Sequence, residues 1–169
     1  DLVPMTPENR FFTRTGLLKM WESPFPGIKE ICHSQLQFPQ FMGAQGIIFK
    51  VAPLLHAPGR MEKPAPALDL LLCNNKESAP LLVKNLSSWN AKRKNKENEI
   101  SKMAIQRVKE LYGNDLPPVL VIDGYDWHLG VIGIVAAKMT QEFNRPSAVL
   151  SIQPDGVASA SARAIPGFN

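Results

Sequence analysis

The chain has 169 residues, 44% of them hydrophobic and 20% charged, with a formal net charge of +4. This is the composition of a globular chain of one domain or two small ones, without repeats or low-complexity tracts. No apolar run approaches the ~18 residues of a membrane span and no signal peptide is visible, so the expectation is a cytoplasmic protein with no membrane partner. The mild positive charge is compatible with a polyanionic partner and proves none. Cys32 and Cys73 lack metal-ligand spacing and sit among apolar residues, which reads as two buried thiols in a reducing compartment.

A start at Asp1 without an initiator Met reads as a fragment or a processed piece. Thr6 followed by Pro7 fits a helix N-cap with proline at the first helical position. The helix is expected to run to about Met20, with Phe11, Phe12, Leu17, Leu18 and Trp21 as core candidates. Ser23 to Gly27 reads as a loop, Ile28 to about Leu36 as a second helix, and Pro39 to Gly46 as a connector. Ala65 to Cys73 reads as a short helix with a Leu68, Leu71, Leu72 face.

From about Lys76 to Tyr112 the pattern is one long helix. Leu82, Leu86 and Trp89 keep helical spacing, and Ile100, Met103 or Ala104, Arg107 or Val108, and Leu111 resume it. Between them Asn90 to Glu99 is almost wholly polar, the pattern of a helix that bridges two domains through solvent. Lys92, Arg93, Lys94 and Lys96 invite a nucleic-acid reading, and a plain solvated face is the alternative. Gly113 ends the helix.

Residues 117–152 read as one βαβ unit. Val119 to Ile122 is a short apolar strand, broken by Asp123, Gly124 and Tyr125. Trp127 and His128 open a helix on which Gly130, Gly133 and Ala136 share one face, allowing close approach to a sheet. Asn144, Arg145 and Pro146 stop it, and Ala148 to Ile152 is the next strand. The first turn of this helix, where His128 stands, is a natural anion site. For His128 a capping or surface role stands beside that functional one.

The string WHLGVIGIVAAK resembles the Trp-His-x-Gly-Val-x-Gly-Ile-Val-Ala-Ser motif of the RecJ family, single-strand-specific exonucleases of the DHH phosphoesterase superfamily. Three further stretches resemble that family in the same order: DLVPMTPENRFFTRTGL, IIFKVAPLLHAPGRM and ASARAIPGF. The implied fold class is α/β, the end of a DHH domain and the start of a DHH-associated α/β domain joined by a long bridging helix. The boundaries are 1–75, 76–113 and 114–169.

The resemblance also implies site residues. Asp1 corresponds to an acidic metal ligand of the DHH domain, with a frayed terminal residue as the plainer reading. Two-metal phosphodiester cleavage needs several carboxylates and histidines around ions about 4 Å apart; the other ligands for Mn2+ or Mg2+ are expected upstream. In the second motif Gly59 and Arg60 match, while Leu54, His56 and Pro58 stand where the family has Arg, Asn and Ala. His56, Gly59 and Arg60 are substrate-binding candidates; a loop histidine without a role and a surface ion pair are the alternatives for His56 and Arg60. In the last motif Ser161 and Arg163 match, and both can hold phosphate oxygens. Ala164 stands for Ser, and Ala160 and Ala162 replace glycines, a poor exchange if those two positions need a positive φ or a backbone approaching the DNA without a Cβ between them. His128 and Arg163 are the catalytic candidates, with Arg163 expected to face the helix start at His128.

The implied activity is that of a metal-dependent 5′-to-3′ exonuclease of single-stranded DNA, serving DNA repair and recombination. The chain by itself is expected to be inactive. Another DHH phosphoesterase, of oligoribonuclease or cyclic-dinucleotide type, is one alternative. A truncated, non-catalytic nucleic-acid-binding module is the other.

Overall fold

A computed structural model describes residues 3–36 and 43–168. The chain divides into two compact units, residues 1–90 and 91–169. The first is helical. Thr6 caps α1 (Pro7–Trp21), its side chain accepting from the Asn9 amide with Pro7 in the first turn. Glu8 sits in that turn. Hydrogen bonding from its own backbone, then from Thr6, holds its carboxyl below the usual range.

Next come α2 (Pro26–Leu36) and α3 (Ala44–Gly46). A π turn, Ile47–Val51, leads from α3 into α4 (Ala52–Met61), and α5 (Ala65–Leu71) follows. Ile31, Cys32 and Leu36 of α2 meet Leu54, Leu70, Val83 and Leu86 in one buried cluster, with Met20 and Trp21 packed at its margin. Gly27 begins this packing: a Cβ there would stand 1.8 Å from the Leu70 carbonyl oxygen, so only glycine lets α2 press on α5. The helix therefore starts at Pro26, inside the stretch expected to be loop. Burial pushes the Cys32 thiol up from its ordinary value.

Two expected faces are wrong. Phe11 and Phe12 are 65% and 69% exposed and Leu18 is exposed as well, because α1 packs through its last turn, at Met20 and Trp21. On α5 the buried residues are Ala67 and Leu70, with Cys73 just beyond, while Leu68, Leu71 and Leu72 are exposed. Both faces of α5 are apolar at helical spacing, so periodicity alone cannot choose between them.

The long helix α6 is Ala79–Tyr112, and the unit boundary falls within it. Its middle is not polar all round in environment. Asn90 and Arg93 are buried and continue the line of Val83 and Leu86 toward Ile100, Ala104 and Val108. Arg93 donates to the Glu97 carboxylate one turn on, which compensates the charge it buries. Of the expected basic cluster, Lys92 and Lys94 are exposed, and Lys96 pairs with Glu99 at 3.1 Å. Among the described residues no helix is long and apolar enough to cross a membrane.

The second unit holds a three-stranded sheet in the order β1 (Leu120–Tyr125), β2 (Ser147–Ile152), β3 (Ala158–Arg163). β1 and β2 are parallel, joined by α7 (Leu129–Phe143), and β3 returns antiparallel to β2. Asp123 to Tyr125 thus continue the strand they were expected to break. Val131, Val135, Ala136 and Met139 of α7 are buried, as are Leu120, Ile122 and Val149 of the sheet. Asn144 ends α7 in the left-handed conformation, with φ 48°.

The end of α6 lies along β1. Tyr112 Oη donates to the Val121 carbonyl at 2.8 Å and accepts from the Val121 amide at 3.3 Å, occupying polar groups that an edge strand otherwise exposes. Arg107 grips Asp123 with two nitrogens, at 3.1–3.2 Å.

Candidate functional site

The turn between β1 and α7 is built on a buried aromatic ring. Trp127 is buried, and its indole lies directly on Gly124, where a Cβ would fall 2.1 Å from a ring carbon. Asp126 between them takes φ 52°, a conformation that Asp tolerates better than most residues. β2 pins the turn: the Asp126 amide donates to the Ile152 carbonyl at 2.9 Å and Ser151 Oγ to the Trp127 carbonyl at 2.6 Å. The apolar strand and the Trp-His pair were legible as sequence. The service of Gly124 to Trp127 carried no periodic signal.

His128 follows as the N-cap of α7. Its Nδ1 accepts from the Gly130 amide at 3.1 Å, which leaves the ring proton on Nε2. A donor therefore stands at the positive end of the helix dipole. Of the two readings of His128, the capping one is what this geometry shows.

Ser161 and Arg163 lie on β3, opposite Val149 and Ser147 of β2. A Cβ on Gly133 would be 3.0 Å from Ser161 Oγ and 3.4 Å from an Arg163 guanidinium nitrogen, so Gly133 is what lets both side chains lie on α7. The Arg163 guanidinium donates to the Ala162 carbonyl at 2.7 Å and lies 3.4 Å from Ser161 Oγ. Its backbone carbonyl accepts from Thr140 Oγ1 at 3.2 Å.

Arg163 does not face the helix start as expected. Its backbone is level with Thr140, in the second half of α7, because β3 ends beside the beginning of β2. The side chain returns along the helix as far as Gly133. Gly133 stands five positions beyond His128, roughly 7.5 Å of helix axis. His128 and Arg163 thus mark two successive positions along α7, not one shared pocket.

Ala160 and Ala162 are exposed residues of a regular strand, and neither has positive φ. The positive φ of this motif falls at Gly167, at 81°, in the turn closed by the Phe168 amide on the Ile165 carbonyl. Alanine is accommodated at both strand positions.

The other three candidates belong to the first unit. His56, in the middle of α4, and Gly59 and Arg60, in its last turn, are exposed, so His56 is a helical residue and not a loop histidine. Leu54 is buried in the helical core, which accounts for an apolar residue there. The candidates therefore fall into two groups, one in each unit. Asp1 lies outside the described residues. Among the described residues no group of three or more His, Cys, Asp or Glu is arranged to hold a metal ion.

No family model matches the chain. Its curated relatives speak clearly. The single-stranded-DNA-specific exonuclease RecJ of Bacillus subtilis is 34% identical over 170 residues, covering 100% of this chain and 21% of the relative. RecJ of Salmonella typhimurium is 31% identical over 172 residues, covering 100% of this chain and 30% of the relative. The chain is RecJ-like along its whole length. The chain spans between a fifth and a third of the length of these RecJ proteins.

The fold agrees. RecJ of Thermus thermophilus in complex with Mn2+ superposes with a TM-score of 0.85 at 23% identity, over 100% of this chain and 24% of that one. A manganese-bound exonuclease RecJ gives 0.77 at 25% identity, over 100% of this chain and 40% of that one. The α/β architecture with its long helix and small sheet is that of these RecJ structures.

Proposed function

We propose that this chain is the strand-holding part of a RecJ-type exonuclease that hydrolyses single-stranded DNA from the 5′ end, in repair and recombination. The observation that carries the reading is the seating of Ser161 and Arg163 on Gly133, along the helix that His128 caps. A hydroxyl and a guanidinium from β3, laid along the helix that His128 caps, are two phosphate-binding chemistries side by side. In this reading the His128 end of α7 faces one phosphate and Arg163 with Ser161 holds its neighbour. The backbone is thereby fixed in register for attack at phosphorus. His56, Gly59 and Arg60 supply a second backbone contact from the helical unit. In family terms, residues 1–75 are the end of the DHH domain, 76–113 the connecting helix and 114–169 the beginning of the DHH-associated domain.

The described residues offer no metal-holding cluster, so no step through Mn2+ or Mg2+ is derived from them. Asp1 is proposed as one ligand, the remainder coming from residues beyond these 169. The test is binding of a 5′-phosphorylated single strand by the chain, measured against its duplex at fixed salt. The reading expects preference for the single strand and no Mn2+-dependent cleavage by the chain alone. Equal affinity for both, lost with salt alike, contradicts it.

A further inference from the structure

We infer that Tyr125 is a stacking platform for a base of the bound single strand; this rests on the strand-holding reading above. Tyr125 ends β1 and is 79% exposed, the most exposed of the large hydrophobic side chains described. It is not a loose residue. Its strand position is paired with Ile152, the next amide bonds the Ile152 carbonyl, and Gly124 just before it is locked under the Trp127 ring. An aromatic ring held in solvent on rigid backbone loses little entropy on capturing a flat partner.

Its surroundings fit a nucleotide. Tyr125 borders a groove of about 560 Å³ lined also by Lys102, Met103, Gln106 and Glu110 of α6 and by the Arg107–Asp123 pair. Met103 is partly exposed, and Lys102 is an exposed cation. An aromatic face, a thioether and a cation make a sequence-tolerant site for an unstacked base and its phosphate. The groove lies at the carboxyl end of the parallel strand β1, where ligands bind in α/β sheets. The alternation of the strands puts Tyr125 on the sheet face opposite Ser161 and Arg163, so the bound strand would pass round that end of the sheet to reach it. A duplex keeps its bases stacked internally, so Tyr125 would also favour single strands.

The test titrates the chain with 5′-phosphorylated oligothymidylate and with the same strand made abasic, at one salt concentration. Tyr125→Ala is expected to weaken binding of the base-bearing strand by about ten-fold, the size of a lost base–aromatic stack. It should leave the abasic strand unchanged, and Tyr125→Phe should restore wild-type affinity. If Tyr125→Ala binds thymidylate like wild type, or weakens both strands equally, Tyr125 is no platform, while an intact Arg163 dependence keeps the strand-holding reading. If wild type binds neither strand, both proposals fall together.

Discussion

Gly124→Ala tests the architecture of the β1–α7 turn. An alanine Cβ would lie 2.1, 2.3 and 2.5 Å from three atoms of the Trp127 indole. Carbon atoms rest at about 3.5–4.0 Å, so the ring must retreat by more than ~1 Å. The indole is only 6% exposed, so its retreat gives up packed contacts. Overpacking of this kind costs about 1–3 kcal/mol, and expulsion of the ring approaches the ~3–5 kcal/mol of deleting a buried aromatic. We expect ~3 kcal/mol, which for a chain of this length lowers Tm by roughly 6–12 °C. Gly16→Ala is the control: it lies inside α1 with nothing within 4 Å of an added Cβ, and should stabilise by ~1 kcal/mol through helix propensity. Thermal unfolding by far-ultraviolet circular dichroism compares the two. Equal shifts would refute the claim that Gly124 exists to seat Trp127.

Three further outcomes are expected. Gly133→Ala should change stability by less than about 1 kcal/mol, helix propensity offsetting the adjustment of Ser161; strand binding should nevertheless fall several-fold, and unchanged affinity in an oligonucleotide titration would remove Gly133 from the site. Arg93→Ala, which strands Glu97, should cost about 2 kcal/mol in urea unfolding, against less than ~0.5 kcal/mol for exposed Lys94→Ala. The Cys32 thiol, raised by burial, should resist iodoacetamide at mildly alkaline pH in the folded chain and react once urea is added; rapid native alkylation would show the α2 core to be open.

Much of the fold was legible because its signals are local. Thr6-Pro7 marked the start of α1, Asn144-Arg145-Pro146 the end of α7, and the polar-to-apolar rhythm the extent of α6. What sequence could not show depends on partners distant along the chain. Phe11 and Phe12 look like core residues and are exposed, whereas polar Asn90 and Arg93 are buried. The pairing of Arg107 with Asp123 joins an expected core-facing position to an expected strand breaker. At the site, the residue types were readable and their spacing was not. Ser161, Arg163 and His128 all belong to α7 and its neighbouring strand. Only the antiparallel return of β3 puts the Arg163 backbone level with Thr140 rather than the helix start.

The central claim is that Arg163 clamps a substrate phosphate through paired hydrogen bonds and not through charge alone. Affinity for a 5′-phosphorylated single strand, measured at one salt concentration for wild type, Arg163→Lys and Arg163→Ala, tests it most directly. Because lysine keeps the charge and loses the planar fork, the account predicts weak residual binding for Arg163→Lys and none above background for Arg163→Ala. Wild-type affinity in Arg163→Lys would contradict it, leaving Arg163 as one diffuse positive charge among several.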